Sequence, residues 1–133
     1  MILAFLVASG PAAASDALRY PPDALLLFVA SWCAPCHAEL GRLPEINAAA
    51  RPLRVLVVPY DEERGTAAML RGVPPEQVWR PAPALRAQVR EDLFGETAGL
   101  PFSLATDRTG RPCGSSRLGL DAERARALAA GCR

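Results

Sequence analysis

Cys33 and Cys36 are separated by two residues in Ser31-Trp32-Cys33-Ala34-Pro35-Cys36-His37. Thiols at that spacing can close a disulfide and exchange it, supply half of a zinc site, or staple a small loop. A zinc site needs two further ligands at knuckle-like spacing, and the remaining candidates, His37, Cys113 and Cys132, form no second C-x-x-C. A bridge across so short a loop tends to be labile and reactive. Redox chemistry is therefore the reading that the spacing favours. Glu39 follows Cys36 by one helical turn and would share its face. From its position alone it is a proton-acceptor candidate for Cys36 or a solvated residue stabilising a helix start. His37 lies outside the pair and reads as an exposed helix residue.

The flanking chain must position these thiols. Residues 24–30 form an apolar, strand-like run, continuous enough to be buried on both faces. A helical pattern follows from Cys36 to about Ala50, with Leu40, Leu43, Ile46 and Ala50 as its buried stripe. Gly41 and Pro44 predict a kink or break within it. Strand, two-cysteine turn and helix are the context in which C-x-x-C reads as redox-active. Cys33 would sit just ahead of the helix, where unpaired N–H groups and the helix dipole favour the thiolate, the nucleophilic form. Pro35 at the helix start loses no needed hydrogen bond and stiffens the turn.

Further along, residues 54–60 are a second buried strand, completing a right-handed βαβ unit. Residues 17–20 suggest a short edge strand. Residues 66–71 and 84–94 read as helices, the latter ended by Gly95; residues 76–79 are a short element between prolines. Trp79 within it is a substrate-surface candidate or, by its size, core packing under the loop. Residues 99–106 are a third strand opened by Pro101, residues 107–110 a hairpin turn, and residues 111–118 the last strand. Asp121 caps a final helix over residues 122–130.

The chain has 133 residues, half of them hydrophobic, with a formal net charge of +1. That is enough for one domain with a real core, and the charge balance suggests no nucleic-acid surface or polybasic membrane patch. Every basic residue apart from His37 is Arg, so Lys is excluded as a catalytic group. Four cysteines in a small domain fit an oxidising compartment. Residues 1–14 are apolar and end in an A-x-A pattern, resembling a secretory signal without its basic start, with the domain proper at 15–133. The alternative is an N-terminus of a cytosolic protein. The run is too short for a stable membrane span, which takes about 20 apolar residues.

Trp32-Cys33-Ala34-Pro35-Cys36 after an apolar strand resembles the thioredoxin superfamily. The longer pattern through Glu39 resembles its TlpA/ResA branch of exported thiol–disulfide oxidoreductases. The resemblance implies an α/β fold, a central mixed sheet with helices on both faces. It implies a redox-active Cys33–Cys36 disulfide with no metal or organic cofactor, and Glu39 beside the cysteines as a third catalytic candidate. Trp32, Ala34, Pro35, Leu100 and Pro101 become substrate-binding candidates. Pro101 resembles the superfamily's cis-proline, facing the cysteines across a groove where Leu100 could pair with an extended substrate; the alternative is an ordinary trans proline at a strand start. Where thioredoxin has a buried Asp beneath the cysteines, this chain has Leu27. The implied partners are protein thiols and disulfides and an upstream dithiol donor or acceptor, for a periplasmic or otherwise exported monomer. Of the three cysteine pairings, this fold supports Cys33–Cys36 with a structural Cys113–Cys132 bond. The last strand and the returning helix each span roughly 17 Å, which brings Cys132 back beside Cys113. Two other functions use the same thiols. Copper handling suits soft thiolates, but Met is scarce. A peroxidase of this fold would need a Thr-x-x-Cys context that is missing.

Overall fold

The structure, a computed structural model, describes residues 18–95 and 99–133. The signal-like segment expected at residues 1–14 lies outside the described residues. Strand β1 (Ala24–Val29) is buried along its whole length, as its unbroken apolar sequence requires. Next come helices α1 (Ala34–Gly41) and α2 (Leu43–Ala50), strand β2 (Arg54–Pro59), helix α3 (Arg64–Leu70), a 3-10 turn (Pro75–Gln77) and helix α4 (Pro83–Phe94). The chain ends with β3 (Phe102–Thr106), β4 (Pro112–Ser116) and α5 (Ala122–Gly131). The sheet order is β2-β1-β3-β4. β1 runs parallel to β2 and antiparallel to β3, and β3 and β4 are antiparallel. This is the expected mixed-sheet α/β architecture.

Alternation along β1 divides the core in two. Leu25, Leu27 and Val29 face a layer with Leu43 and Ile46 of the first helical pair and Ala125 and Ala129 of α5. Leu26 and Phe28 face the opposite layer, with Val89 and Phe94 of α4. Helices thus cover both faces. In the second layer Phe94 stands edge-on to Phe28, Tyr60 and Phe102, with centroids 5.6, 5.1 and 5.2 Å away. Each fully buried aliphatic side chain contributes about 1.5–3 kcal/mol. The three consecutive leucines Leu25, Leu26 and Leu27, all with 0% exposure, fix this strand as the rigid centre from which the cysteines depart.

The helix expected from Cys36 to Ala50 is broken where Gly41 and Pro44 suggested. Arg42 leaves helical geometry (φ −107°, ψ 12°), and Pro44 starts the second segment without losing a hydrogen bond. Two expectations need correction. Residues 18–20 are not a strand: the Tyr20 N–H bonds the Gly110 carbonyl, and the Tyr20 ring is buried edge-on to Trp79 with its hydroxyl donating to Asp92 of α4. The last strand is also shorter than expected. It spans five residues, because a register irregularity at Ala105/Thr106 disrupts pairing at its start and Leu118 turns out to solvent at its end. Trp79 is half-buried beside the second core layer. The turn joining β3 to β4 is fixed by Asp107, whose Oδ1 accepts from the backbone of Thr109 (2.8 Å) and Arg111 (3.1 Å), and by Gly110 at φ +78°.

Candidate active site

β1 delivers the chain directly into the two-cysteine turn. The Cys33 N–H bonds the Ala30 carbonyl at 3.1 Å, closing the turn, and Cys33 becomes the N-cap of α1. Its Sγ accepts from the Cys36 N–H at 3.3 Å, one of the donors a helix start leaves unpaired. The two sulfurs are bonded at 2.09 Å. Cys33 keeps 4% of its surface exposed and Cys36 none. Cys36 Sγ lies 3.8 Å from the Phe28 carbonyl oxygen, to which the thiol of the reduced form would donate. The surroundings are therefore unequal: an N–H donor faces the Cys33 sulfur and favours its anion, whereas a carbonyl faces the Cys36 sulfur and favours its protonated form.

Trp32 is half-exposed (51%) yet fixed. Its indole N–H donates to Asp61 Oδ2 at 2.9 Å, and its ring stands edge-on to Tyr60 at 5.7 Å. Asp61 follows β2, and because β2 is parallel to β1, both strands present their next residues at one sheet edge. Burial raises the Asp61 carboxyl, but hydrogen bonds from Thr66, Trp32 and the Glu63 backbone, with the Arg90 charge, outweigh it and leave the group below the usual range. Thr66, fully buried on α3, also accepts from the Ser31 N–H at 3.0 Å. His37 is exposed, as expected, with Nε2 2.8 Å from the Ser31 carbonyl oxygen.

Glu39 is fully buried, so the solvated reading of this residue is overturned. Oε1 accepts from the Leu120 N–H at 2.6 Å, while Oε2 has no partner among the described residues. Burial drives the carboxyl up to about 7, against the opposing pull of the Leu120 amide and Arg42. No hydrogen bond joins Glu39 to either cysteine. The Leu120 contact spans 81 residues of sequence, beyond the reach of local pattern reading.

Leu100 and Pro101 reach the same edge by pairing. Phe102 stands opposite Phe28, so the start of β3 lies at the end of β1 from which the cysteines leave. The Leu100–Pro101 bond is cis, as is Arg51–Pro52, which had no counterpart among the expectations. Ala34 and Pro35 are exposed at the helix start. Gly119, in the connection from β4 to α5, passes close to Pro35: a Cβ built on it would lie 3.9 Å from the Pro35 Cβ. Leu118, 61% exposed, lies next to it. Trp32 and Leu118 are the large exposed apolar side chains among the described residues. Leu118, Asp61, Arg42 and Leu120 were missed by sequence reasoning; only Asp61 carried a usable signal, an acid directly after a strand parallel to β1. A hollow of about 620 Å³ lies at α3 and the 3-10 turn, lined by Leu70, Val73 and Val78, and includes neither cysteine.

Cys113 and Cys132 are also bonded to one another, with Cα atoms 5.2 Å apart. They lie at the other end of the sheet, where β4 starts and α5 stops.

In sequence, no family profile and no curated protein matches the chain. In structure, it is similar to a crystallised Chlorobium tepidum protein assigned as a thiol:disulfide interchange protein, DsbE. The TM-score is 0.55 at 28% identity, over 81% of this chain and 75% of that one. This chain belongs to the thioredoxin superfamily. Its mixed sheet, helices on both faces and oxidised Cys33–Cys36 pair at a helix start agree with that membership. The position of thioredoxin's buried Asp is held here by Leu27, which is fully buried in the first core layer opposite Ser103 of β3.

Proposed function

We propose that the protein is a thiol–disulfide oxidoreductase of the TlpA/ResA-like branch, acting on protein partners through Cys33 and Cys36. The observation that carries this reading is the unequal environment of the two sulfurs, with Cys33 capping α1 over the Cys36 N–H. The Cys33 thiolate attacks a substrate disulfide, forming a mixed disulfide and releasing one substrate thiolate. Cys36 then gives up its proton and attacks Cys33 Sγ. The Cys33–Cys36 bond forms and the second substrate thiolate leaves, so two electrons have passed from the dithiol to the substrate. The reverse sequence oxidises a substrate dithiol. Glu39 Oε2, buried and unpartnered one turn beyond Cys36, is the acceptor for the Cys36 proton.

Leu100 and Pro101, with Trp32, Ala34 and Pro35, form the substrate-binding surface. It is an exposed apolar surface around the turn, which suits an extended protein segment better than a small ligand. Two disulfides and the signal-like residues 1–14 support an exported, periplasmic setting, in which Cys113–Cys132 is structural. The redox-active pair serves without a further cofactor, and a second dithiol protein supplies or removes the electrons. No described helix is long and apolar enough to cross a membrane. The test is reduction of insulin disulfides by the dithiothreitol-reduced protein, with equilibration against glutathione. Turnover that is abolished in Cys33→Ser is expected. A reduced wild-type protein that neither reduces insulin nor equilibrates with glutathione would refute the assignment.

A further inference from the structure

Leu120 is gripped at both ends by charged side chains from the first helical pair. Its N–H donates to Glu39 Oε1 at 2.6 Å, and its carbonyl accepts from Arg42 Nη2 at 3.2 Å. Arg42 occupies the break between α1 and α2, and its own N–H bonds back to the Glu39 and Leu40 carbonyls. The side chain is part-buried, and its Nε, like Glu39 Oε2, is a buried polar atom without a partner among the described residues. The clasp therefore joins a buried carboxyl and a guanidinium through one residue, with one acceptor and one donor to spare. Leu120 also follows Gly119, which passes near Pro35, so whatever holds Leu120 holds that connection beside the dithiol turn.

We propose that Arg42 is a positioning residue for the dithiol: it holds Leu120 against Glu39 and supplies the positive charge that makes Glu39 an acceptor of the Cys36 proton. A carboxyl sealed in an apolar layer stays protonated and cannot take another proton unless its surroundings favour the anion; here the Leu120 amide pulls most and the Arg42 charge adds to it. The other groups facing Glu39 do not replace Arg42. The sheet residues of this core layer, Leu25, Leu27 and Val29 with Ser103 opposite Leu27, bear no charge. From the start of α5 come Asp121 and Arg124, which pair with one another at 3.1 Å. Glu45 in the first turn of α2 is exposed, and the oxidised cysteines carry no proton.

The inference rests on Glu39 serving the Cys33–Cys36 exchange, but its test does not require turnover. In the oxidised full-length protein, the Glu39 carboxyl is titrated by carbon-13 NMR, its signal assigned by loss in Glu39→Gln. Arg42→Gln is expected to move the inflection upward from about 7 by roughly one pH unit, the size of a lost neighbouring cation. Arg42→Lys, which keeps the charge, should restore most of that shift and also serves if Arg42→Gln proves unstable. An inflection unmoved in Arg42→Gln overturns the proposal. So does an Arg42→Lys protein that titrates as Arg42→Gln does, since packing rather than charge would then be responsible. If the shift appears but insulin reduction does not, the clasp stands and the exchange reading fails.

Discussion

The two disulfides cap opposite ends of helices at opposite ends of the sheet. Cys33 is the N-cap of α1, and Cys132 is the C-cap of α5. The sequence separations are 3 and 19 residues. In the chain-entropy model that difference is worth only about 1.5 kcal/mol. Loop size alone therefore does not make one bond reactive and the other structural. Electrostatics separates them more sharply. The Cys33 sulfur accepts a helix N–H and gains from the positive end of the dipole, whereas Cys132 lies among terminal carbonyls, where an anion is disfavoured. A thiolate is easy to form at the first and costly at the second, and only a thiolate attacks. The distal bond instead ties β4 to the helix whose other end presents Leu120 to Glu39.

Replacing both distal cysteines by serine is expected to lower unfolding stability by about 3 kcal/mol, read from guanidinium denaturation of the oxidised protein. Insulin reduction should stay within about twofold, because the dithiol lies at the far end of the sheet. A stably folded double variant with lost turnover would break the contrast. A smaller effect is expected at Glu39. Glu39→Gln should slow turnover about a hundredfold at neutral pH, the low end for a lost proton acceptor, and remove an inflection near 7 from the pH–rate profile. Stability supplies an independent check with a definite sign. The folded carboxyl binds its proton more tightly than the unfolded one, so its contribution is fully present below about 4.5 and is lost as pH rises through about 7. Glu39→Gln should flatten that fall. A pH–stability curve identical to wild type would mean that the carboxyl is not perturbed.

Local chemistry was legible wherever the signal lay within a few residues. The cysteine turn, the all-apolar β1, the break between Gly41 and Pro44, and the Asp121 cap (Oδ1 accepting from the Arg124 N–H at 2.8 Å) follow from short-range rules. What escaped depends on distant partners. Residues 18–20 have strand-like composition, yet Tyr20 is drawn to Gly110 and Asp92 instead of a strand edge. Glu39 on a helix surface pattern reads as equally suited to solvent or catalysis, and only the arrival of Leu120 decides its burial. Asp61 becomes a partner of Trp32 only once β1 and β2 are seen to be parallel neighbours. Composition cannot encode such pairings, because each forms only when elements distant in sequence are brought together by the fold.

The central claim, that Cys33 attacks and Cys36 resolves, is tested most directly by trapping. Cys36→Ser and Cys33→Ser proteins, reduced with the distal bond intact, are mixed with an unfolded protein carrying one disulfide, and the adducts are mapped by mass spectrometry. A stable mixed disulfide at Cys33 in Cys36→Ser, with little or none at Cys36 in Cys33→Ser, is the expected result. Faster adduct formation at Cys36, or adducts at Cys113 or Cys132, would contradict the assignment of roles.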